Sequence, residues 1–214
     1  MFVTLIIDVL LPESILEIVA MVTQVLNLNP ASLAASVTPT RTPSSRTIKL
    51  EKYDANWSTS FKSEVAIIRV ILSSNLIAAY HIGSTAILGI RAKPVIDILL
   101  EVRSVGEVDK HNTEFEKCGY EPKGEFGIKG RRFFQKGGNE RTHHIHVFES
   151  GNPEIERHRL FVEFMNAHPL EASKYETLKL DLANKFMHEP DRYSEGKSGF
   201  IQIIDKKALQ WEHS

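Results

Sequence analysis

The hydrophobic pattern of the first half of the chain predicts one helix followed by two strands. Apolar residues recur at helical spacing from Trp57 to Ser74, and apolar runs over Leu76–Ile82 and Pro94–Val102 predict strands. The second run is almost wholly apolar, which is typical of a strand that is buried on both faces. The first strand ends at a Gly83-Ser84 turn, so the chain is expected to fold back at that point.

The second half predicts two more strands and then helices only. An amphipathic helix over Val105–Lys117 leads into an irregular hairpin arm over Tyr120–Gly130. Glycines separate two segments in which apolar and polar residues alternate, which predicts two strands. Prolines lie near the starts of the three predicted C-terminal helices. The strands are predicted at 131–136 and 142–149, and the helices at 154–167, 170–186 and 192–211. We therefore expect an α+β fold: a small mixed β-sheet with flanking helices and a C-terminal helical cap.

Residues 1–48 have a different composition and are predicted to be an extension of a domain spanning 49–214. Apolar residues at helical spacing predict a short amphipathic helix, formed by Leu16, Ile18, Val19, Val22, Val25 and Leu26. Residues 31–47 are rich in Ser, Thr, Ala and Pro, which is typical of a partly disordered linker. The first basic residue is Arg41, so a secretory signal is not expected.

Composition narrows the classes of partner. The chain has 214 residues and a formal net charge of −1, so nucleic acid held through its phosphates is not expected. One cysteine, Cys118, excludes an intramolecular disulfide framework and a cysteine zinc cage. No uninterrupted apolar run approaches the roughly 18–20 residues that span a bilayer. We expect a cytoplasmic protein, and the sequence leaves its oligomeric state open.

Six strings of residues carry a family resemblance. They are Tyr53–Trp57, His81–Ala86, Ala92–Ile98, Arg131–Phe134, Thr142–Phe148, and Tyr193 with Lys197, Phe200 and Ile201. In this order, from about Leu50 to Trp211, they resemble the GrpB domain, a member of the nucleotidyltransferase superfamily. That domain is fused to dephospho-CoA kinase in some bacteria. The resemblance implies a nucleotidyltransferase-like fold.

The turn and the strand after it supply the first candidate site residues. Gly83 lets the backbone approach a ligand, and the Ser84 hydroxyl can bond phosphate beside backbone N–H groups. Asp97, on the return strand, can hold a divalent cation against that phosphate. The superfamily typically places a second acid two residues later, where this chain has Leu99. Glu101 shares that face but lies about 7 Å beyond Asp97 along the strand, so the chain departs from the two-metal arrangement.

Two histidines are candidates for completing the metal shell. His144 and His146 are two residues apart on a strand and share one face, and with Asp97 they would make a site for a divalent metal. Mg²⁺ and Mn²⁺ are the expected ions, with Zn²⁺ as a further option. The family pattern favours this face towards Asp97. In the alternative, one histidine makes a buried hydrogen bond and the others are solvated.

Four cationic residues are candidates for binding a phosphate tail. They are Lys93, Arg131, Arg132 and Lys197. Arginine is the better bidentate partner for phosphate, and strand alternation allows only one of the two arginines to face the site. For each of the four, a solvated surface position is the alternative.

Three functions fit these residues. In the leading hypothesis, the domain binds a nucleotide or phosphorylated metabolite with a divalent metal and, if it is an enzyme, transfers a nucleotidyl group. Asp97, His144 and His146 would then be the catalytic residues. One alternative is a non-catalytic ligand-binding or accessory module related to coenzyme A metabolism. The other is a metal-dependent hydrolase centred on the two histidines.

Overall fold

The computed structural model describes residues 47–212, so the predicted N-terminal helix and most of the predicted linker lie outside the described residues. The chain packs against the domain from Ile48 onwards. The backbone N–H of Ile48 donates to the Met187 carbonyl at 2.8 Å, and its side chain joins a cluster with Ala183 and Tyr193. Thr47 Oγ1 also lies 3.4 Å from His188 Nδ1, so the two described residues before the predicted domain start contact the domain.

Five strands form one mixed sheet. They are β1 Leu76–Ile82, β2 Ile96–Val102, β3 Tyr120–Pro122, β4 Arg132–Lys136 and β5 His143–Glu149. Their spatial order is β1-β2-β5-β4-β3. The β2–β5 pair is parallel, and the three other pairs are antiparallel. The predicted α+β class with a small mixed sheet is confirmed, and β3 adds a short strand at the start of the predicted arm.

The helices flank this sheet and form a C-terminal helical region, as predicted. They are α1 Asn56–Leu72, α2 Val105–Asp109, α3 Asn112–Lys117, α4 Pro153–Ala167, α5 Pro169–Lys185, α6 Pro190–Gly196 and α7 Ser198–Glu212. Two helices that were predicted as continuous are divided, 105–117 into α2 and α3, and 192–211 into α6 and α7. At the second break, a Cβ on Gly196 would lie 2.5 Å from Leu182 Cδ2, so glycine lets α6 pack against α5. Within residues 47–212, no helix has both the length and the apolar character to cross a membrane.

The two faces of the sheet have different coverings. One face packs against α1, α2 and α3 through fully buried residues, among them Ile98, Leu100, Ile145 and Val147. Because side chains alternate along a strand, Asp97 and Leu99 of β2 and His144 and His146 of β5 project to the other face. There Leu99 packs against Ile155 of α4, beneath the C-terminal helices. The candidate chemistry therefore lies on the face opposite the main core.

Candidate functional site

The turn after β1 brings the backbone unusually close to an acid. Gly83 has a φ of 71°, a conformation that favours glycine. A Cβ at this position would lie 2.5 Å from Oδ2 of Asp97, which is closer than any real contact. The turn is also fixed from its far side, because the Thr85 hydroxyl donates to the Val95 carbonyl at 3.2 Å. Glycine is therefore required here for two independent reasons, the backbone conformation and the approach to Asp97.

Asp97 is held by two histidines. It lies opposite His144 in the parallel β2–β5 pair, and His144 Nδ1 is 3.0 Å from Asp97 Oδ1. Since an ionised carboxylate only accepts, the proton of this bond belongs to His144 Nδ1. His146 Nε2 lies 4.0 Å from the same oxygen. Burial would raise the pKa of Asp97, but the hydrogen bond with His144 and the nearby His146 imidazole outweigh burial and hold the pKa well below its usual range. Asp97 is therefore an anion at neutral pH.

Arg131 orients the His146 ring from outside the cleft. Its guanidinium donates to the carbonyls of Phe126 at 2.7 Å and Glu125 at 3.2 Å, and its Nη1 is 3.4 Å from His146 Nδ1. Because arginine has no acceptor atom, His146 Nδ1 must accept and Nε2 must carry the proton that faces Asp97. Arg131 thus fixes a tautomer and does not line the space where a ligand would bind.

Arg132 has no part in the site. It is paired with Val147, on the core side of the sheet, and its guanidinium makes two bonds to Asp109, at 2.6 and 2.8 Å. Of the two arginines, alternation allows one on the site face, and that one is Arg131. The structure gives the prediction of Arg132 as a phosphate ligand no support.

A cleft of about 640 Å³ lies between this sheet face and the C-terminal helices. Its volume is in the range of small-molecule sites. The sheet side and the turn contribute Ile82, Gly83, Ser84, Asp97 and His146. The helices contribute Glu154, Arg157, His158, Phe161, Tyr175, Lys197, Ser198, Ile201, Gln202 and Asp205. We call this set of residues the cleft.

Two of the predicted lysines lie against the same tyrosine ring near one end of the cleft, and Lys197 is the one that lines it. Lys197 and Lys93 place their ammonium groups 4.7 and 5.0 Å from the centre of the same Tyr193 ring. Burial and the charge of Lys93 lower the pKa of Lys197 to about 8, against an opposing effect of Asp97. Tyr175 interacts with the Ser84 side chain at this end. The structure therefore brings Lys197 and Lys93 to the end of the cleft where Ser84 and Asp97 lie.

Lys179 is a third lysine near this end, buried behind the cleft lining, and sequence reasoning missed it. It is 1% exposed, donates to the Arg91 carbonyl, and lies 4.8 Å from the centre of the Tyr175 ring. Burial and the charge of Lys197 lower its pKa to about 7. The signal was present in the helical pattern, because Lys179 is four residues after the buried Tyr175 and four before the buried Ala183.

The other end of the cleft has a fixed ion-pair network that was also not predicted. Arg157 Nη2 donates to Glu154 Oε2 at 2.7 Å, and Arg157 Nη1 donates to Asp205 Oδ2 at 3.2 Å. His158 Nδ1 donates to the Glu154 carbonyl at 2.7 Å. Burial and Arg157 lower the pKa of His158 to about 4, so its imidazole is neutral. These residues come from α4 and α7, which are distant in the sequence.

The contacts of Asp97, His144 and His146 limit which metal ions the site could hold. Within residues 47–212, no group of three or more His, Cys, Asp or Glu side chains is arranged as a metal site. His144 and His146 both direct an N–H towards Asp97, so neither offers a lone pair to an ion beside that carboxylate. Mg²⁺ and Mn²⁺ are commonly bound through one or two carboxylates, with phosphate oxygens and water as the other ligands. Asp97 fits that role, whereas the three-residue ligand set stays a prediction.

Comparison with known proteins gives a consistent result. The family model described as "GrpB protein" matches residues 47–207. The chain is 42% identical to the UPF0157 protein YqkA of Bacillus subtilis over 78% of its own length, and spans 49% of that relative. It is 34% identical to the "Glutamate-rich protein GrpB" of Alkalihalophilus pseudofirmus, over 72% of this chain and 92% of that relative. The crystal structure of the conserved protein GrpB from Enterococcus faecalis superposes with a TM-score of 0.75 at 38% identity, covering 78% of this chain and 100% of that chain.

Proposed function

The chain belongs to the GrpB family, and on that premise we propose that its cleft binds a nucleotide or another phosphorylated metabolite. The observation that carries this proposal is the approach of Gly83 to Asp97, with Lys197 in the same cleft. The N–H groups and hydroxyl of the turn would hold phosphate oxygens, as in other glycine-containing anion sites. Lys197 would supply positive charge, reinforced by Lys93 and Lys179 nearby.

The proposal includes a divalent ion, Mg²⁺ or Mn²⁺, shared between Asp97 and the phosphate. Such an ion would neutralise phosphate charge and polarise a phosphorus centre. The role of the protein's own residues is to present the carboxylate. His144 and His146 hold Asp97 from one side, Arg131 holds His146, and Gly83 leaves Oδ2 uncovered by a side chain. This support keeps Asp97 ionised and in one orientation before the ligand arrives.

If the bound ligand is turned over, nucleotidyl transfer is the reaction class that we propose. Binding without turnover is the second candidate, and position 99 favours it. Leu99, where the superfamily typically places a second acid, is fully buried. Glu101 cannot substitute for that acid, because it accepts from the Tyr80 hydroxyl at 3.2 Å and from Ser150 at 2.6 Å. A link to coenzyme A metabolism stays a prediction, and no contact among residues 47–212 favours the histidine-based hydrolase.

Thermal-shift measurements test the proposal. Nucleotides, sugar phosphates and inorganic phosphate are added with and without Mg²⁺, Mn²⁺ or Zn²⁺. At a ligand concentration of about 100 times Kd, binding adds about 2.7 kcal/mol, which raises Tm by several degrees. We expect stabilisation that needs Mg²⁺ or Mn²⁺ and disappears in Asp97→Asn. Glu101→Gln, which changes a carboxylate two residues beyond Leu99 on the same strand face, is the matched control and should retain the shift.

Other outcomes would contradict the proposal or change part of it. No stabilisation by any phosphorylated compound, or equal stabilisation of Asp97→Asn, contradicts it. Stabilisation that is independent of metal would leave ligand binding but remove the shared ion. A zinc-dependent shift without nucleotide, lost in His144→Ala, would favour the hydrolase. Chromatographic analysis of nucleotide after incubation with the protein then separates transfer from binding alone.

A further inference from the structure

The two ends of the cleft differ in their unused hydrogen-bonding atoms. At the Lys197 end, the donors of Lys197 and of the Gly83-Ser84 turn lie beside the Asp97 carboxylate. At the opposite end, Asp205 Oδ1 is a buried acceptor without a hydrogen-bond partner among residues 47–212. A carboxylate oxygen that loses its water without gaining a partner costs free energy, so such atoms call for an explanation. Because Asp205 lines the cleft, a ligand that binds there and displaces the atoms covering Oδ1 can supply the missing donor.

The orientation of Asp205 is set by its other oxygen. Oδ2 accepts from Arg157 Nη1 at 3.2 Å. Arg157 is itself fixed on the far side, because its Nη2 donates to Glu154 Oε2 at 2.7 Å and lies 3.2 Å from His158 Nε2. Since both ends of the guanidinium are held, the carboxylate that it binds is presented in one orientation. The free oxygen of Asp205 is therefore a preorganised acceptor.

The position of Asp205 relative to the phosphate end fits a ligand with two distinct parts. Asp205 is seven residues after Ser198 in α7, which is about 10 Å along a helix at 1.5 Å per residue. Ser198 directly follows Lys197. Phe161 and Ile201 supply apolar surface to the same cleft. A phosphate near Lys197 thus leaves room for a sugar-sized or planar group that reaches Asp205.

We infer that Asp205 recognises an N–H donor, such as an exocyclic amino group, at the end of the ligand remote from its phosphate. The inference rests on the proposed phosphate-binding function and deepens it, because it separates amino-bearing ligands from their oxo analogues. A site built to accept a hydrogen bond disfavours a ligand that presents an acceptor there, because two acceptors would then face each other.

Matched nucleotide pairs test this inference by isothermal titration calorimetry with Mg²⁺ present. ATP and ITP differ by an amino group against an oxo group, as do CTP and UTP. We expect the amino member of at least one pair to bind about tenfold more tightly to the wild-type protein. In Asp205→Asn, the amide oxygen can still accept from Arg157 while the NH₂ group takes the place of Oδ1. This variant should lose the preference or reverse it towards the oxo member.

Control measurements separate failure of the inference from failure of the proposed function. Asp181→Asn alters an exposed acid of α5 and should keep the wild-type preference. If phosphorylated ligands bind but neither pair is discriminated, or if Asp205→Asn keeps the wild-type preference, the inference is overturned and the proposed function stands. Cytidine and uridine without phosphate test the Asp205 end alone. Discrimination between them, in a protein indifferent to phosphate, would support the inference and contradict the phosphate site.

Discussion

The two faces of the sheet are made by the same strands and have opposite characters. Towards α1, α2 and α3, β2 and β5 present residues such as Ile98 and Ile145, which are fully buried in an apolar cluster. Towards the C-terminal helices, the neighbouring positions in the chain are Asp97, His144 and His146. A period of two along the strands thus separates the residues that stabilise the fold from those available for chemistry.

Hydrogen bonding explains how charged side chains can be buried on the cleft side of the sheet. Burying a polar group costs free energy unless it is hydrogen-bonded. On the cleft side, Asp97, His144, His146 and Arg131 contact one another in series, ending at backbone carbonyls of the arm. The apolar residues of the main core need no such series, and the buried Glu64 of α1 on that side is bonded directly to Lys136 at 2.8 Å. The cleft side is therefore sensitive to the identity of each polar residue, and the core side to volume.

The largest expected effect comes from adjacent residues of β5 that face opposite ways. Ile145→Ala should lower the free energy of unfolding by about 2–5 kcal/mol, because it leaves a cavity in a fully buried cluster. Ligand affinity, measured below the transition temperature, should stay unchanged. His146→Gln should show the reverse, with a smaller loss of stability and weaker ligand binding. Urea titration and calorimetry check both. Equal effects of the two variants on affinity would show that the two faces of the sheet do not differ in function.

Gly83 and Gly89 give a sharper test within one loop. Both have positive φ values, 71° and 78°, so alanine should cost each about 1–2 kcal/mol of stability. A Cβ at Gly83 would also collide with Asp97, whereas at Gly89 it would meet nothing within 4 Å. We expect Gly83→Ala to weaken ligand binding about 100-fold through displacement of the turn, and Gly89→Ala to leave it unchanged. Similar affinities in the two variants would refute the role of the close approach.

Lys179 should make stability depend on pH. Its folded pKa of about 7 lies below the ordinary lysine value, so between pH 7 and 9 the unfolded chain binds more protons and the folded state gains stability as pH rises. The gain is about 1–2 kcal/mol. Lys197, Glu176 and the Tyr175 ring are the groups that face this ammonium.

Urea unfolding at both pH values measures this gain. Lys179→Met should flatten the rise from pH 7 to 9 relative to the wild-type protein. Lys174→Met, at an exposed position of the same helix, is the control and should behave like the wild type. A rise of the same size in Lys179→Met would show that the ammonium is not the source.

The smallest effects distinguish the two arginines that begin β4. Arg131→Gln removes the donor that fixes the His146 tautomer and should weaken ligand binding about tenfold, as expected for a residue that orients a site residue. Arg132→Gln removes a partly exposed ion pair with Asp109, so it should cost under about 1 kcal/mol of stability and leave binding unchanged. Calorimetric titration of both variants checks this. Weaker binding in Arg132→Gln would contradict the separation of the two faces.

The sequence was sufficient to predict what depends on local pattern. Strand alternation predicted that His144 and His146 share a face, and helical spacing together with prolines predicted a helical C-terminal region. The family resemblance was required to favour that face towards Asp97. The break after Gly196 was not predicted, because it depends on contact with Leu182 of α5.

The remaining features of the site depend on contacts between distant elements. The parallel pairing of β2 with β5 brings Asp97 opposite His144, and no local signal specifies that pairing. Arg131 is held close to His146 because its guanidinium donates to backbone carbonyls of the hairpin arm, Tyr120–Gly130. Asp205 and Arg157 meet across α4 and α7. Neither Asp205 nor Arg157 was singled out from the sequence, because only the tertiary fold brings them to the cleft.

A crystal structure grown with Mn²⁺ and a non-hydrolysable nucleotide analogue would show whether Asp97 and the Gly83-Ser84 turn bind one ligand. We expect an anomalous manganese peak about 2.1 Å from an Asp97 carboxylate oxygen, with a phosphate between the Gly83-Ser84 turn and Lys197. A nucleotide bound elsewhere on the surface, or a manganese ion held without Asp97, would contradict it.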